Sequence, residues 1–82
     1  MVKITTSDAL EMLSEIFEEP IENISPELSR DDVSQWDSLG TLALMAELDD
    51  RFGIILTPDE SRGMARIDDV LQLLKRHGVL AD

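Results

Sequence analysis

The sequence predicts a small all-α domain: a bundle of three main helices and one short helix, with a long first loop. Apolar residues recur at helical spacing in three separate segments, and the segments are bounded by residues typical of helix caps. Residues 53–56 are the one segment considered as a strand, and they are too few to predict one. The 82 residues suffice for one domain that spans the whole chain, 1–82.

The first helix is predicted over residues 7–18, after a cluster of capping residues at 5–8. Its apolar stripe contains Leu10, Leu13 and Phe17, and glutamates occupy the other side. Residues 19–37 then have no helical period. Loops of that length in a small domain are usually functional or disordered. Apolar residues recur along this segment at a spacing that allows them to hold the loop against the core, and they predict an ordered loop. These residues are Ile21, Ile24, Leu28 and Val33.

The second helix is predicted from Ser38 to about Phe52, with Gly53 as its left-handed stop. It carries two stripes on opposite faces, although a helix on the outside of a bundle needs only one apolar face. The stripe expected in the core is Leu44, Leu48 and Phe52, with Met45 beside it. The opposite stripe is Leu39, Ala43, Ala46 and Asp50. A central helix covered on both sides is the alternative, but three long helices make that arrangement difficult. We therefore expect the second stripe to be exposed as a docking surface that becomes acidic at Asp49 and Asp50.

A short third helix and a last helix complete the prediction. Thr57, Pro58 and Glu60 have the pattern of an N-cap, a first-turn proline and a capping box, and Gly63 follows soon after. Basic residues in the last turn before Gly78 suit the dipole of the final helix. Its apolar positions are Ile67, Val70, Leu71 and Leu74.

The net charge narrows the choice of partner. The chain has 18 Asp and Glu against 7 Lys and Arg, which gives −11. Nucleic acid and anionic membranes repel such a surface, whereas a basic protein patch attracts it. No apolar run approaches the ~20 residues that span a bilayer, and the first residues lack the apolar region of a secretory signal. We expect a cytoplasmic monomer with no membrane insertion.

The residue types exclude several kinds of site. Without cysteine the chain has no disulfide, zinc–thiolate site or cysteine nucleophile, and the single His77 cannot form a histidine metal site. Residues 31–40 lack the central glycine and final glutamate of an EF-hand, and the G-x-S-x-G motif is absent. We expect neither a metal site nor an enzyme.

Ser38 has two interpretations from the residues alone. A serine at a helix start is most often a cap. A helix N-terminus also tolerates a phosphate, because its N–H groups are free and its dipole favours negative charge. The neighbouring Asp37 carboxylate opposes a phosphate unless a metal ion or a basic partner intervenes.

The motif around Ser38 resembles that of the acyl carrier proteins, and the similarity covers almost the whole chain. The matching segments are Trp36-Asp37-Ser38-Leu39-Gly40, Leu48-Asp49-Asp50-Arg51-Phe52-Gly53-Ile54 and Thr57-Pro58-Asp59-Glu60. An Asp-Ser-Leu tripeptide is common, but its place at a loop–helix junction, with Phe-Gly-Ile fourteen residues later, is specific.

The resemblance implies a carrier protein. In that family the serine matching Ser38 is esterified by 4′-phosphopantetheine from coenzyme A, and the thiol of that arm holds an acyl group as a thioester. Asp37 and Leu39 match the surface read by the phosphopantetheinyl transferase and by partner enzymes. Asp49 and Asp50 match acids that meet basic patches on acyl-loading and acyl-accepting enzymes. The lack of cysteine agrees with a thiol supplied by the arm.

Departures from the family pattern indicate a specialised bacterial pathway. Carriers of central fatty-acid synthesis have polar residues where this chain has Gly40 and Ala43, and an acidic triplet where it has Arg51 after two aspartates. Two alternatives stay open. One is an aminoacyl carrier, of the D-alanyl or the peptidyl type, although the peptidyl type has glycines where this chain has Asp37. The other is an unmodified interaction domain of the same fold.

Overall fold

The helical prediction is confirmed by a computed structural model, which describes residues 3–81. The described residues form four α-helices: α1 (Thr6–Phe17), α2 (Ser38–Phe52), α3 (Pro58–Arg62) and α4 (Ile67–Arg76). Two short 3₁₀ helices, Ile21–Asn23 and Arg30–Asp32, lie in the first loop. Residues 3–81 contain no β-strand; isolated bridges join Ile4 to Leu80 and Ser29 to Arg66. The protein is a small all-α bundle.

The helix ends follow local capping chemistry. At α1, the Thr5 hydroxyl accepts the backbone N–H of Asp8 at 3.0 Å, and the Asp8 carboxylate accepts that of Thr5 at 3.3 Å. The helix ends at Phe17 and not at residue 18, because Glu18 has a left-handed backbone (φ 51°). Gly53 ends α2 with φ 67°, as predicted.

The predicted capping box of α3 is also present. The Thr57 hydroxyl accepts the backbone N–H of Glu60 at 3.1 Å, and the Glu60 carboxylate accepts that of Thr57 at 3.2 Å. The hydrogen bond from the Thr57 backbone lowers the pKa of the Glu60 carboxyl below its ordinary value. The carboxylate form of Glu60 is therefore the one that completes this cap.

One hydrophobic core joins the helices and the loops between them. Its largest fully buried side chains are Phe17, Leu13, Leu44, Leu48, Ile67, Leu73, Leu74 and Val70. The prediction that Phe52 belongs to this core is wrong, because Phe52 is half-buried against its edge. The chain reverses at Gly53 and brings Ile54 and Leu56 into the core instead.

The first loop is ordered, as predicted. Ile24 and Val33 are buried, and Leu28 packs half-buried against the core. The prediction for Ile21 is wrong. Ile21 is 45% exposed, since it begins the 3₁₀ helix that follows Pro20 and lies on the outside of the loop.

Backbone hydrogen bonds fasten this loop to the start of α4. The carbonyl oxygens of Leu28 and Pro26 accept the N–H groups of Ile67 and Asp68, at 3.0 and 2.8 Å. The first N–H groups of a helix have no partner inside it. Arg66, the N-cap of α4, offers no side-chain acceptor for these N–H groups. The carbonyl oxygens of the first loop accept them instead.

The loop also lies directly against α2 at Gly40. A Cβ at that position would overlap the carbonyl oxygen of Gln35 and would lie 3.4 Å from Cδ1 of Phe17. Only glycine allows the backbone of residues 33–36 to approach the helix this closely. Gly40 thus sets the distance between the first loop and α2.

Gly40→Ala should lower the free energy of unfolding by about 3 kcal/mol or more, because the overlap is with backbone and not with a flexible side chain. Gly63→Ala is the matched control. Gly63 has a right-handed helical backbone, and a Cβ there meets nothing closer than 3.6 Å. Urea unfolding should show it unchanged or slightly more stable. Equal stability of the two variants would contradict the packing described for Gly40.

Candidate functional site

Ser38 is the first residue of α2 and is exposed. The cap of this helix is Asp37, whose Oδ1 accepts the backbone N–H groups of Leu39 at 3.1 Å and Gly40 at 3.0 Å. The interpretation of Ser38 as a cap is therefore wrong. No hydrogen bond ties its hydroxyl to another residue in the range 3–81. The Ser38 side chain is therefore exposed and has no hydrogen-bond partner among the described residues.

The residue before this cap anchors the junction in the core. Trp36 is 4% exposed and stacks on Phe17, with 4.8 Å between ring centroids and 22° between ring planes. The guanidinium carbon of Arg30 lies 5.3 Å from the centroid of the Trp36 ring, within the range of a cation–π contact. These contacts fix the backbone from which Asp37 and Ser38 emerge.

Arg30 also connects the first loop to α2 and to the chain around α3. Its Nη1 donates to the carbonyl oxygens of Ser61 at 3.0 Å and Met64 at 3.3 Å, and its Nη2 donates to the Thr41 hydroxyl at 3.2 Å. Its backbone N–H donates to the carbonyl oxygen of Ala65 at 2.8 Å. The sequence does not reveal this role of Arg30, because an arginine beside two aspartates gives no local sign of such long-range contacts.

An open groove runs from Ser38 between α2 and α3, with a volume of about 600 Å³. Leu42, Met45 and Pro58 supply apolar lining. Its charged lining residues are Arg30, Arg62 and Asp37. Any group attached to Ser38 starts at the edge of this groove.

The outer face of α2 is open to solvent, so the helix is not covered on both sides. Leu39 is 76% exposed and Leu42 is 61% exposed. Leu42 is an addition to the predicted face, and its spacing of about one helical turn from Leu39 is the signal in the sequence that places it there. The other predicted residues of this face, Ala43, Ala46, Asp49 and Asp50, are exposed as well. We call these six residues the outer face of α2.

The predicted residues fit a phosphopantetheine attachment site. A free, exposed hydroxyl accepts a phosphodiester without loss of a native hydrogen bond. The Asp37 carboxylate already accepts two N–H groups at the N-terminus of α2, so this helix terminus alone does not neutralise a phosphate. The guanidinium groups of Arg30 and Arg62 in the same groove offset the Asp37 carboxylate.

The single histidine of the chain lies away from Ser38. His77 is the exposed C-cap of α4 and does not line the groove at Ser38. In the described part of the chain, no three His, Asp or Glu side chains gather as a candidate metal site. Among the helices of residues 3–81, none has the length and apolarity needed to cross a membrane.

Comparison with known proteins adds no family assignment. No protein-family model matches the chain, and no curated protein matches it.

Asp37→Ala should lower the free energy of unfolding by about 1 kcal/mol, because two N–H groups lose their acceptor. Asp37→Asn should cost much less, since asparagine caps helices about as well as aspartate. Urea unfolding of both variants measures the difference. A loss of stability in Asp37→Asn as large as that in Asp37→Ala would show that the charge, and not the cap, stabilises α2.

Proposed function

We propose that the protein is an acyl carrier protein of a specialised bacterial pathway, with an acyl group held as a thioester on a 4′-phosphopantetheine arm at Ser38. The observation that carries this proposal is the exposed Ser38 hydroxyl at the start of α2. Asp37 caps this helix, so the Ser38 hydroxyl is not needed as a cap. The resemblance of the Trp-Asp-Ser-Leu-Gly motif to carrier proteins supports the same assignment. We place this carrier in the cytoplasm as a monomer.

For attachment of the phosphopantetheine arm, the group that this chain supplies is a nucleophilic hydroxyl. Oγ of Ser38 forms a bond to the phosphorus that bears the pantetheine, adenosine 3′,5′-bisphosphate leaves, and the hydroxyl proton goes to a base on the transferase. When bound, the arm supplies a terminal thiol that carries acyl groups. The chain has no cysteine, so no thiol of its own competes for them.

The outer face of α2 suits a transient protein partner. Its first turns present Leu39 and Leu42 beside Ser38, and its last turns present Asp49 and Asp50. Apolar contacts near the serine and acids farther along the helix fit a partner with an apolar pocket bordered by basic residues. The proposed partners are the phosphopantetheinyl transferase and the acyl-loading and acyl-accepting enzymes.

Incubation with coenzyme A and a promiscuous phosphopantetheinyl transferase should add one phosphopantetheine to the chain, measured as intact mass. Ser38→Ala should abolish the addition. Ser34→Ala is the matched control, because Ser34 is also exposed and lies in the loop that leads to Ser38. It should load like the wild type.

An unchanged mass for the wild type, with its helical circular dichroism intact, would contradict the proposal. That outcome favours the unmodified interaction domain, since the exposed outer face of α2 serves docking without an arm.

Asp49→Lys combined with Asp50→Lys should lower kcat/KM for loading by the transferase at least about fivefold at low salt, because charge steering accelerates association. Added salt should reduce the difference. The matched control is Glu11→Lys combined with Glu22→Lys, which changes the net charge equally on exposed residues away from α2. An equal loss in both double variants would assign the effect to net charge and not to the outer face of α2.

A further inference from the structure

Arg30 is a half-buried cation that has no carboxylate within salt-bridge distance among residues 3–81. Its three side-chain hydrogen bonds go to the carbonyl oxygens of Ser61 and Met64 and to the Thr41 hydroxyl, all of them neutral. The ring under its guanidinium, that of Trp36, is uncharged as well. A guanidinium that has lost part of its hydration and has no counter-ion is stabilised by an anion placed beside it.

The nitrogen of Arg30 with unused donor capacity is the one that contacts α2. Each Nη atom of a guanidinium carries two N–H groups. Nη1 donates to two carbonyl oxygens, whereas Nη2 donates to the Thr41 hydroxyl alone, at 3.2 Å. Nη2 therefore keeps one N–H group for a further acceptor near Thr41.

Thr41 and Ser38 are neighbours on the surface of α2. They are three residues apart in the helix, a spacing that leaves about 5–6 Å between Cβ atoms. Ser38, Thr41 and Arg30 also line the same groove. A group bonded to Oγ of Ser38 thus has its first atoms close to Nη2 of Arg30. The first group of a phosphopantetheine arm is a phosphodiester, which carries one negative charge.

Arg62 lines this groove too, but it already has a counter-ion. It pairs with Asp59 one turn earlier in α3, and its side chain is 71% exposed. A cation in water that has a partner gains little from a second anion. Of the two arginines in the groove, Arg30 is the one that lacks an anion.

We propose that Arg30 holds the phosphodiester that joins the arm to Ser38, and that this ion pair stabilises the folded carrier. The inference rests on the proposed function, because the phosphodiester exists only after the arm is attached. Arg30 is a positioning residue. It fixes the base of the arm and takes no part in the thioester at the other end.

The charges near Ser38 make the sign of the effect specific. In a chain of net charge −11, a phosphodiester next to the Asp37 carboxylate adds repulsion and should lower the melting temperature if nothing pairs with it. Paired with Arg30, it should raise the melting temperature by about 2–6 °C, as expected for one partly exposed charge pair in a domain of this size.

The test compares the unmodified chain with the chain loaded from unacylated coenzyme A, each verified by intact mass. Loading should raise the melting temperature and should shift the Nε–H resonance of Arg30 in ¹H–¹⁵N NMR spectra more than that of Arg62. Sodium chloride near 1 M, where the Debye length is about 3 Å, should remove most of the rise. Screening acts on the charge pair and not on apolar contacts of the pantetheine.

Arg30→Gln, loaded to the same mass, should melt no higher than its own unmodified form, and its ³¹P resonance should differ from that of the loaded wild type. Each variant is compared with itself, so the hydrogen bonds that Arg30→Gln loses in both forms do not decide the sign. Arg51→Gln is the matched control and should keep the full rise. Arg51 is also exposed and paired, at 2.6 Å from Glu47, but it lines a different groove.

Equal melting of the loaded and unmodified wild type, with an unchanged Arg30 resonance, would overturn the inference even if Arg30→Gln failed to fold. A rise that is lost in Arg62→Gln and kept in Arg30→Gln would overturn it as well, since the phosphodiester would then belong to Arg62. Failure of the wild type to load the arm would instead contradict the proposed function.

Discussion

The close approach of the first loop to α2 at Gly40 is the constraint on which the rest of the structure depends. The Gln35 carbonyl occupies the space that any larger residue at position 40 would fill. Ser38 precedes Gly40 by two residues, which places them about 200° apart around the helix. The first turn of α2 therefore has one side pressed into the loop, and its other side presents Ser38 to solvent.

Three kinds of contact keep the loop in that position. The stack of Trp36 on Phe17 buries two aromatic rings beside Gly40. Arg30 joins the loop to Thr41 and to the carbonyl oxygens at α3. Backbone hydrogen bonds join residues 26–30 to the chain before and at the start of α4. A rigid setting for Ser38 thus arises from a segment without long helices.

The charged residues around Ser38 are separated by sign. Acids lie on the outer face of α2, whereas Arg30 and Arg62 line the groove beside Ser38.

The helices and most of their ends could be predicted from the sequence, because they depend on local rules. The Thr57–Glu60 capping box and the Gly53 stop involve residues within one turn of each other. Ile21 and Phe52 were predicted wrongly, because apolar spacing does not reveal which residue lies at the edge of a core. Within the candidate site, the position of Ser38 at the start of α2 could be predicted from the sequence. The roles of Gly40 and Arg30 could not, since both depend on contacts with segments that only the fold brings together.

Hydrogen exchange at three backbone amides tests most directly whether the first loop is fixed in this way. The N–H groups of Arg30, Ile67 and Asp68 donate to carbonyl oxygens of distant segments, at 2.8, 3.0 and 2.8 Å. If these bonds hold the loop against α4, the three amides exchange as slowly as buried amides in the middle of α1 and α2. Exchange at the rate of an unstructured peptide, while the helices stay protected, would contradict the account of how Ser38 is positioned.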